Sequence, residues 1–526
     1  MNNKRNTRVL AVAAFSALAA FLVYAPSLWH GFVNWDDPVY VLENPYIRSL
    51  DGPSVRFMLT SFYSANWHPL TLFSYALDYA IWGKDPFGYH LTNNVLHALN
   101  TGIAALLAFR VASLAGIKAP LLAAAVTAAL FGLHPVHVES VAWVSERKDL
   151  LCAFFFLLAA LSYLRYATAS SRGWYLASLA LFALSLASKP MAVTFPVVLL
   201  ILDLFPLGRL KDRPVMALLE KAPFFALSAA SSVLTLLAQR SGGAIVPIEI
   251  YPLWMRIAGA IRALGFYVFK AVFPSGLAPF YPMPGRSEVF DAYFYGAAAL
   301  IAATILISIM SFRRFRGFSA AWLYFLAMLI PVIGLVQVGS QAAADRYTYL
   351  PLIGPFILSG AGLSFLLGIL KARRAAYSAA LAACVCVAIA LASLTVRQAG
   401  FWRDSLTLWD RQLELYPGKL AHIYNLRGLA YDEKKMFREA IADFDYSIAL
   451  KPSYAFAFNN RGNAYKSLGE FGNAIEDFKA AARLAPGLPE PYINLSAAYS
   501  EIGEMELAFA ASKRAGELGW GRRQGR

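Results

Sequence analysis

The stretch RVLAVAAFSALAAFLVYAPSLWHGFVNWDD, residues 8–37, decides the reading of the chain, because an apolar run of membrane length ends in the acidic sequence Asn34-Trp35-Asp36-Asp37. A hydrocarbon core ~30 Å thick takes about 20 helical residues, and the run at 9–28 meets that length. Lys4, Arg5 and Arg8 precede it, as in a secretory signal. The run is long and further spans follow, so it is expected to be retained as the first span. Comparable runs lie near 91–115, 119–137, 149–168, 174–189, 191–207, 222–239, 291–312, 318–338, 350–370 and 376–396, about eleven in all.

Composition agrees with that reading. The chain has 526 residues, of which 58% are hydrophobic and 15% charged, which is too apolar for one soluble domain and predicts an all-α, polytopic membrane helix bundle. The formal charge of +15 is not spread as a nucleic-acid-binding surface would be. It collects at alternate span ends: Lys4, Arg5 and Arg8; Arg110 and Lys118; Arg165 and Arg172; Arg209, Lys211, Arg213 and Lys221; Arg313, Arg314 and Arg316; Lys371, Arg373 and Arg374. By the positive-inside rule these ends face the cytoplasm, so no nucleic-acid partner is expected. The N-terminus is then cytoplasmic. The loop at 29–90, the turn at 134–148, the stretch at 240–290, the turn at 338–349 and the C-terminal tail are extracytoplasmic. The segment Arg256 to Phe273 carries Arg256, Arg262 and Lys270, and is expected to lie in the outer interface, anchored by Tyr251, Trp254 and Tyr267, with its cations near lipid phosphates. The membrane is a bacterial inner membrane or an endoplasmic reticulum. Cys152, Cys384 and Cys386 lie in apolar runs and imply neither a disulfide framework nor a metal site.

Beyond the last span the pattern changes. Gly428, Tyr431, Ala440, Phe444 and Pro452 recur 34 residues later as Gly462, Tyr465, Ala474, Phe478 and Pro486, and a third copy keeps Tyr499, Ala508 and Ala515 but has Ser496 and Ser512 in place of glycine and phenylalanine. This matches the tetratricopeptide (TPR) pattern, in which small residues let two antiparallel helices pack closely. The expected organisation is a membrane domain at 1–397 and a helical linker with a short TPR α-solenoid at 398–526, with repeats near 421–454, 455–488 and 489–522. The stretch Asp404 to Tyr416 would supply an extra packing layer, and the array a surface for a protein or peptide.

Four outward segments carry chemistry. Asp36 and Asp37 are read as a turn or helix cap unless context argues otherwise; as adjacent carboxylates they repel, so one can hold a raised pKa and accept a proton. The run from His134 to Asp149 gathers His134, His137, Glu139, Glu146, Arg147 and Lys148 at a short turn between spans. His134, His137 and Glu139 have a weak metal-ligand spacing, and orienting roles are favoured. Arg147 and Lys148 break the positive-inside trend, which calls for pairing with Glu146 and Asp149 or for an anion. Lys189 in Ser188-Lys189-Pro190, and Arg346 in Asp345-Arg346-Tyr347-Thr348-Tyr349-Leu350-Pro351, sit at two further outer junctions suited to a phosphate.

In this order, these segments and the TPR tail resemble the transmembrane-and-TPR-containing protein O-mannosyltransferases, which are glycosyltransferases of the GT-C kind. The resemblance covers nearly the whole chain. It implies a multispan inverting enzyme that moves a sugar from a polyprenyl-phosphate carrier to an acceptor hydroxyl, with protein serine or threonine the expected acceptor. Asp36 or Asp37 would be the general base. Arg147, Lys148, Lys189 and Arg346 would stabilise the leaving lipid phosphate, and Trp35, His134, His137, Glu139, Glu146 and Tyr347 would shape the pocket. No cofactor is implied beyond the lipid-linked donor, and a divalent metal is left open. Two departures stand out: the TPR array is short, and the glutamate that often follows the junction lysine is here Pro190. The competing readings are a non-enzymatic membrane scaffold that recruits a partner through its TPR tail, and a glycan ligase or polymerase using a lipid-linked donor. A transporter fits less well, because the spans are mostly uncharged, with Asp203 near an inner end.

Overall fold

The computed structural model describes residues 2–244, 246–312 and 314–519. Arg313 of the basic cluster and the last residues of the expected TPR domain, 520–526, lie outside the described residues. The chain forms two units, Met1–Phe32 with Asp36–Arg403, and Val33–Trp35 with Asp404–Arg526. Both are helical, apart from a two-stranded antiparallel ribbon in the first, β1 (Tyr281–Pro282) and β2 (Gln341–Ala343).

In chain order the first unit contains α1 (Asn2–Tyr24), α2 (Gly52–Thr60), α3 (Pro69–Trp82), α4 (Pro86–Leu114), α5 (Pro120–Leu133), α6 (Val138–Ala142), α7 (Arg147–Ala169), α8 (Arg172–Ser188) and α9 (Phe195–Leu204). It continues with α10 (Arg209–Asp212), α11 (Pro214–Leu219), α12 (Ala222–Ser241), α13 (Leu253–Val272), α14 (Ala292–Ser311), α15 (Arg316–Leu329), α16 (Ile353–Leu370) and α17 (Arg374–Gly400). Helix starts follow sequence chemistry. Proline opens α3, α4 and α5, where its missing N–H costs nothing, and Asp51, Asp85 and Asp291 cap α2, α4 and α14 by accepting a backbone N–H.

Each of the eleven expected spans overlaps a helix. Among the described residues, seven helices are long and apolar enough to cross a bilayer, and an eighth span results if α5 and the following Pro135–Ala142 segment, bent by 50°, count as one. The remaining three coincide with α8, with Pro190–Leu204 and with α15. The expected span at 318–338 is cut short at Leu329 because Pro331 cannot continue the helix. Asp203, the one acid noted near an inner span end, is fully buried and paired, accepting from Tyr163 Oη at 2.7 Å and Lys221 Nζ at 2.5 Å. Arg209 closes this network onto Glu220 at 2.7 Å. A buried charge survives in an apolar bundle only with such partners.

Helix α13 corrects one expectation. Its cations do not reach for lipid phosphates: Arg256 donates to the Tyr251 and Val246 carbonyls at 2.8 and 2.7 Å, Lys270 to the Ser275 and Gly276 carbonyls, and Arg262 pairs with Asp291. Unpaired carbonyls in the irregular segments flanking the helix compete successfully for these donors. Tyr267, expected as an interfacial anchor, is fully buried, Tyr251 is buried too, and Trp254 stacks on Phe290 at 5.8 Å.

The second unit continues with α18 (Ser405–Leu415) and three helix pairs: α19 (Ala421–Glu433) with α20 (Phe437–Leu450), α21 (Ala455–Ser467) with α22 (Phe471–Leu484), and α23 (Glu490–Glu501) with α24 (Met505–Glu517). Helix α18, capped by Asp404, is the extra layer the sequence suggested, and buries Leu408, Trp409 and Leu413. The repeat glycines have a concrete cause. A Cβ at Gly428 would lie 2.5 Å from the Phe444 ring, and one at Gly462 would lie 2.6 Å from that of Phe478. In the third copy no phenylalanine crosses, so Ser496 fits and its hydroxyl donates to the Ala508 carbonyl at 2.8 Å. An asparagine ladder, Asn460 to Asn425 and Asn494 to Asn459, each at 2.9 Å, joins successive repeats.

Candidate active site

The loop after the first expected span is folded rather than open. Tyr40, Val41, Ile47, Met58, Leu72, Tyr75, Ala76, Tyr89 and Val144 form one buried cluster, which fastens the residues after Asp37 to α3, α4 and the turn before α7. A single π-turn, Pro38–Leu42, follows the acidic pair directly. The two aspartates then part ways. Asp37 is buried, and its Oδ1 accepts from both the backbone N–H (3.0 Å) and the hydroxyl of Ser145. Asp36 stays partly exposed, and its carboxylate accepts no hydrogen bond from any described residue.

What faces Asp36 is a cluster of cations drawn from three segments far apart in sequence. The bend at His134-Pro135 ends α5 and turns Glu139 inward on α6. The turn Val144–Glu146 and the first residues of α7 bring Glu146, Lys148 and Asp149; the break between α8 and Pro190 brings Lys189; and the turn Asp345–Thr348 brings Arg346. Glu146 is the hub, with Lys148 and Lys189 Nζ each at 3.1 Å and Arg346 Nε at 3.4 Å. Lys189 also pairs with Asp149 at 2.7 Å, and Arg346 pairs with Glu139, which in addition accepts the Arg346 backbone N–H at 2.7 Å. Tyr347 lies beneath both Arg346 (5.0 Å) and Lys189 (5.9 Å), and Trp143 beneath Arg346 (5.6 Å).

Electrostatics separates the groups. Burial raises the Asp36 carboxyl above its ordinary 3.8; Lys148 and Arg346 oppose the rise and Glu146 adds to it. Lys189 is disfavoured as a cation by burial, but Asp149 and Glu146 outweigh this and raise its pKa, so it stays charged. Arg346 is likewise held charged against burial, chiefly by Glu139. The arrangement can present positive charge to an anion and a carboxylate of raised basicity to a proton donor. Side-chain exposure of 9% for Lys148, 12% for Lys189 and 10% for Arg346 leaves each an accessible edge.

Arg147, the fourth expected cation, is not brought to this cluster. Its side chain is 0% exposed and turns into another network: Asp78 at 2.6 Å, Asn93 Oδ1 and the Tyr89 carbonyl each at 2.9 Å, with the Tyr75 ring at 4.6 Å. Residues one apart at a helix start point about 100° apart, so Arg147 and Lys148 leave α7 toward different partners. His134 caps the turn, its Nδ1 accepting from the Val136 N–H (3.2 Å) and its Nε2 donating to the Ala271 carbonyl (3.2 Å). His137 donates to the Phe131 carbonyl at 2.9 Å and packs on Tyr349. Trp35 belongs to the second unit, edge-to-face with Trp409 at 5.4 Å. Behind Arg346, Tyr349 is held by His97 (2.8 Å) and Asn100 (3.2 Å); since His97 Nε2 donates to the Gly132 carbonyl, the Tyr349 hydroxyl donates to Nδ1 and accepts from Asn100.

One side chain near this cluster was missed by sequence reasoning. His68 precedes α3, whose Thr71 donates to the Ser188 carbonyl at 3.0 Å beside Lys189. It is buried, its Nδ1 has no partner among the described residues, and burial together with Lys148 and Lys189 holds its pKa well below 6.5, so the imidazole is neutral. The available signal was a second His-Pro pair, His68-Pro69, matching His134-Pro135.

Comparison with known proteins adds the following. The tetratricopeptide repeat family matches residues 421–454 and 455–488. Human protein O-mannosyl-transferase TMTC1 is 26% identical over 501 residues, covering 85% of this chain and 56% of that protein. Protein O-mannosyl-transferase Tmtc2 of Drosophila melanogaster is 36% identical over 204 residues, covering 36% of this chain and 21% of that protein. The chain thus spans from about a fifth to just over half the length of these curated relatives. Among solved structures, ArnT from Cupriavidus metallidurans bound to undecaprenyl phosphate aligns with 90% of this chain and 80% of its own, at 16% identity and a TM-score of 0.37. The resemblance read from the motifs therefore extends over most of the chain: it is similar to the protein O-mannosyl-transferases named TMTC, and it ends in tetratricopeptide repeats.

Proposed function

We propose that the chain is a membrane glycosyltransferase that moves a sugar, mannose in its relatives' names, from a polyprenyl-phosphate carrier to a hydroxyl of a protein acceptor on the extracytoplasmic side. The observation that carries this reading is the convergence of Lys148, Lys189 and Arg346 around Glu146, within electrostatic reach of Asp36. A phosphate ester needs positive charge where its leaving oxygen gains charge, and an attacking hydroxyl needs a base. In this reading Asp36 accepts the proton of the acceptor hydroxyl as its oxygen attacks the anomeric carbon from the face opposite the phosphate. The anomeric carbon–oxygen bond breaks with inversion, and the departing lipid phosphate is stabilised by the three cations. Asp37 holds the loop through Ser145, and Arg147 holds α7 against α3 and α4. The helical repeats supply a surface of the kind that binds protein segments, which favours a protein acceptor over a glycan.

The test is transfer by the full chain reconstituted in liposomes, offered radiolabelled polyprenyl-phosphate mannose or a nucleotide-linked mannose together with serine- and threonine-rich peptides. Label on the peptide from the lipid-linked donor alone supports the reading. Absence of transfer from every lipid-linked hexose supplied leaves the membrane scaffold as the better account.

A further inference from the structure

A large apolar cavity of the first unit lies away from the acidic and basic cluster. It measures about 730 Å³, within the range of small-molecule pockets. It runs between α4, α7, α9, α15 and α16, from Ile353 to Phe365 along α16, which is about 18 Å at 1.5 Å per residue. Its walls are almost entirely aliphatic and aromatic. Its two ends differ. At the Ile353 end the polar atom of Tyr324 is already used, donating to the Leu350 carbonyl at 2.9 Å, so nothing there would hold a charged group. At the other end stand Arg314 and Arg316, and a second cavity of about 330 Å³, lined by Lys211, Asp212 and Arg316, shares Arg316 and Phe205 with the first. Arg314, Arg316 and Lys211 form no ion pair among the described residues.

An apolar trough that ends in three unpaired cations against one carboxylate complements an amphiphile with a negative head. We infer that this is a binding site for an anionic glycerophospholipid, its acyl chains in the trough along α16 and its phosphate on Arg314, Arg316 and Lys211. The positive-inside pattern puts these cations at the cytoplasmic surface, where anionic lipids concentrate. The site uses no residue assigned to sugar transfer, and it stands or falls independently of that activity.

The experiment measures retention of fluorescent phosphatidylglycerol and of phosphatidylcholine by the full chain purified in detergent. Wild type is expected to retain phosphatidylglycerol in preference. The R314E/R316E variant should lose that preference by at least about fivefold per cation, as the worth of a basic residue at an anionic membrane surface implies. Gly362→Phe provides the second variant, because a Cβ there meets nothing within 4 Å, so a ring can fill the trough without disturbing helix packing. It should reduce retention of both lipids. Equal retention of the two lipids by wild type, or unchanged preference in R314E/R316E, overturns the inference. So does displacement of phosphatidylglycerol by polyprenyl phosphate at equimolar ratio, which would assign the trough to the carrier.

Discussion

Replacing Asp36 by asparagine tests the assignment of the base most directly, because size and polarity are kept and only the proton-accepting charge is lost. General-base assistance contributes about 10²–10⁴-fold to a rate, so turnover should fall by roughly that factor. The donor should bind as well as before or better, since a negative charge leaves the neighbourhood of Lys148 and Arg346. The pH dependence has a definite sign. The carboxyl is raised above 3.8, so wild-type activity should climb as pH rises through that raised value and Asp36 loses its proton, and the variant should lack this limb. Stability moves the other way. Between the unfolded and folded values the folded state binds more protons, so ionised Asp36 reduces stability as pH rises; the asparagine variant should be at least as stable as wild type at neutral pH. The assay is peptide labelling from a lipid-linked sugar in liposomes, with thermal unfolding measured in parallel. A variant that transfers at more than about a tenth of the wild-type rate, or that keeps the same acid limb, would refute the assignment.

Lys189→Met should raise the KM for the lipid-linked donor roughly 10- to 100-fold, the worth of a charge-assisted hydrogen bond of about 1.5–3 kcal/mol, with little change in the helical content seen by circular dichroism. Arg147→Met is predicted to act on the fold instead: it strands the buried Asp78 carboxylate at a cost of about 3–5 kcal/mol, seen as lower thermal stability while the KM of surviving protein is unchanged. His68→Ala should weaken donor binding without shifting the pH profile, since the imidazole is neutral over the working range; an altered acid limb would show that it titrates. Gly462→Val should unravel the second repeat against the Phe478 ring at a cost of about 1–3 kcal/mol, detected by proteolysis within 455–488, with donor hydrolysis retained.

Helices and repeats were legible because burial leaves a periodic trace. Long apolar runs marked where helices lie, seven of them among the described residues long and apolar enough to cross a bilayer, and the recurrence of Gly428 and Phe444 at Gly462 and Phe478 gave the repeat length. Local charge anomalies were legible in kind: cations on the wrong side of the topology pattern, such as Lys148, do need counter-charges. Direction was not legible. Whether Asp36 or Asp37 turns inward depends on where Ser145 lies, more than a hundred residues away, and whether Arg147 or Lys148 meets Glu146 depends on the rotation of α7. Arg256 and Lys270 of α13 were misread because their partners are carbonyls, and every residue type carries one. His68 passed unnoticed because a lone histidine before proline reads as an ordinary helix cap.

Glu146 gives the cluster a character that a bare basic patch lacks. Three cations already share a resident anion, so a phosphate that enters trades places with an internal carboxylate contact rather than condensing onto naked charge. Under the proposed function such a cluster would work as an ion exchanger. Bulk salt screens exposed charge over about 8–10 Å, but it has little hold on a trade conducted among buried partners, so affinity should be nearly blind to ionic strength. Selectivity would then rest on how well the newcomer reproduces the carboxylate's three contacts, a demand that a tetrahedral phosphate ester meets and a chloride ion does not.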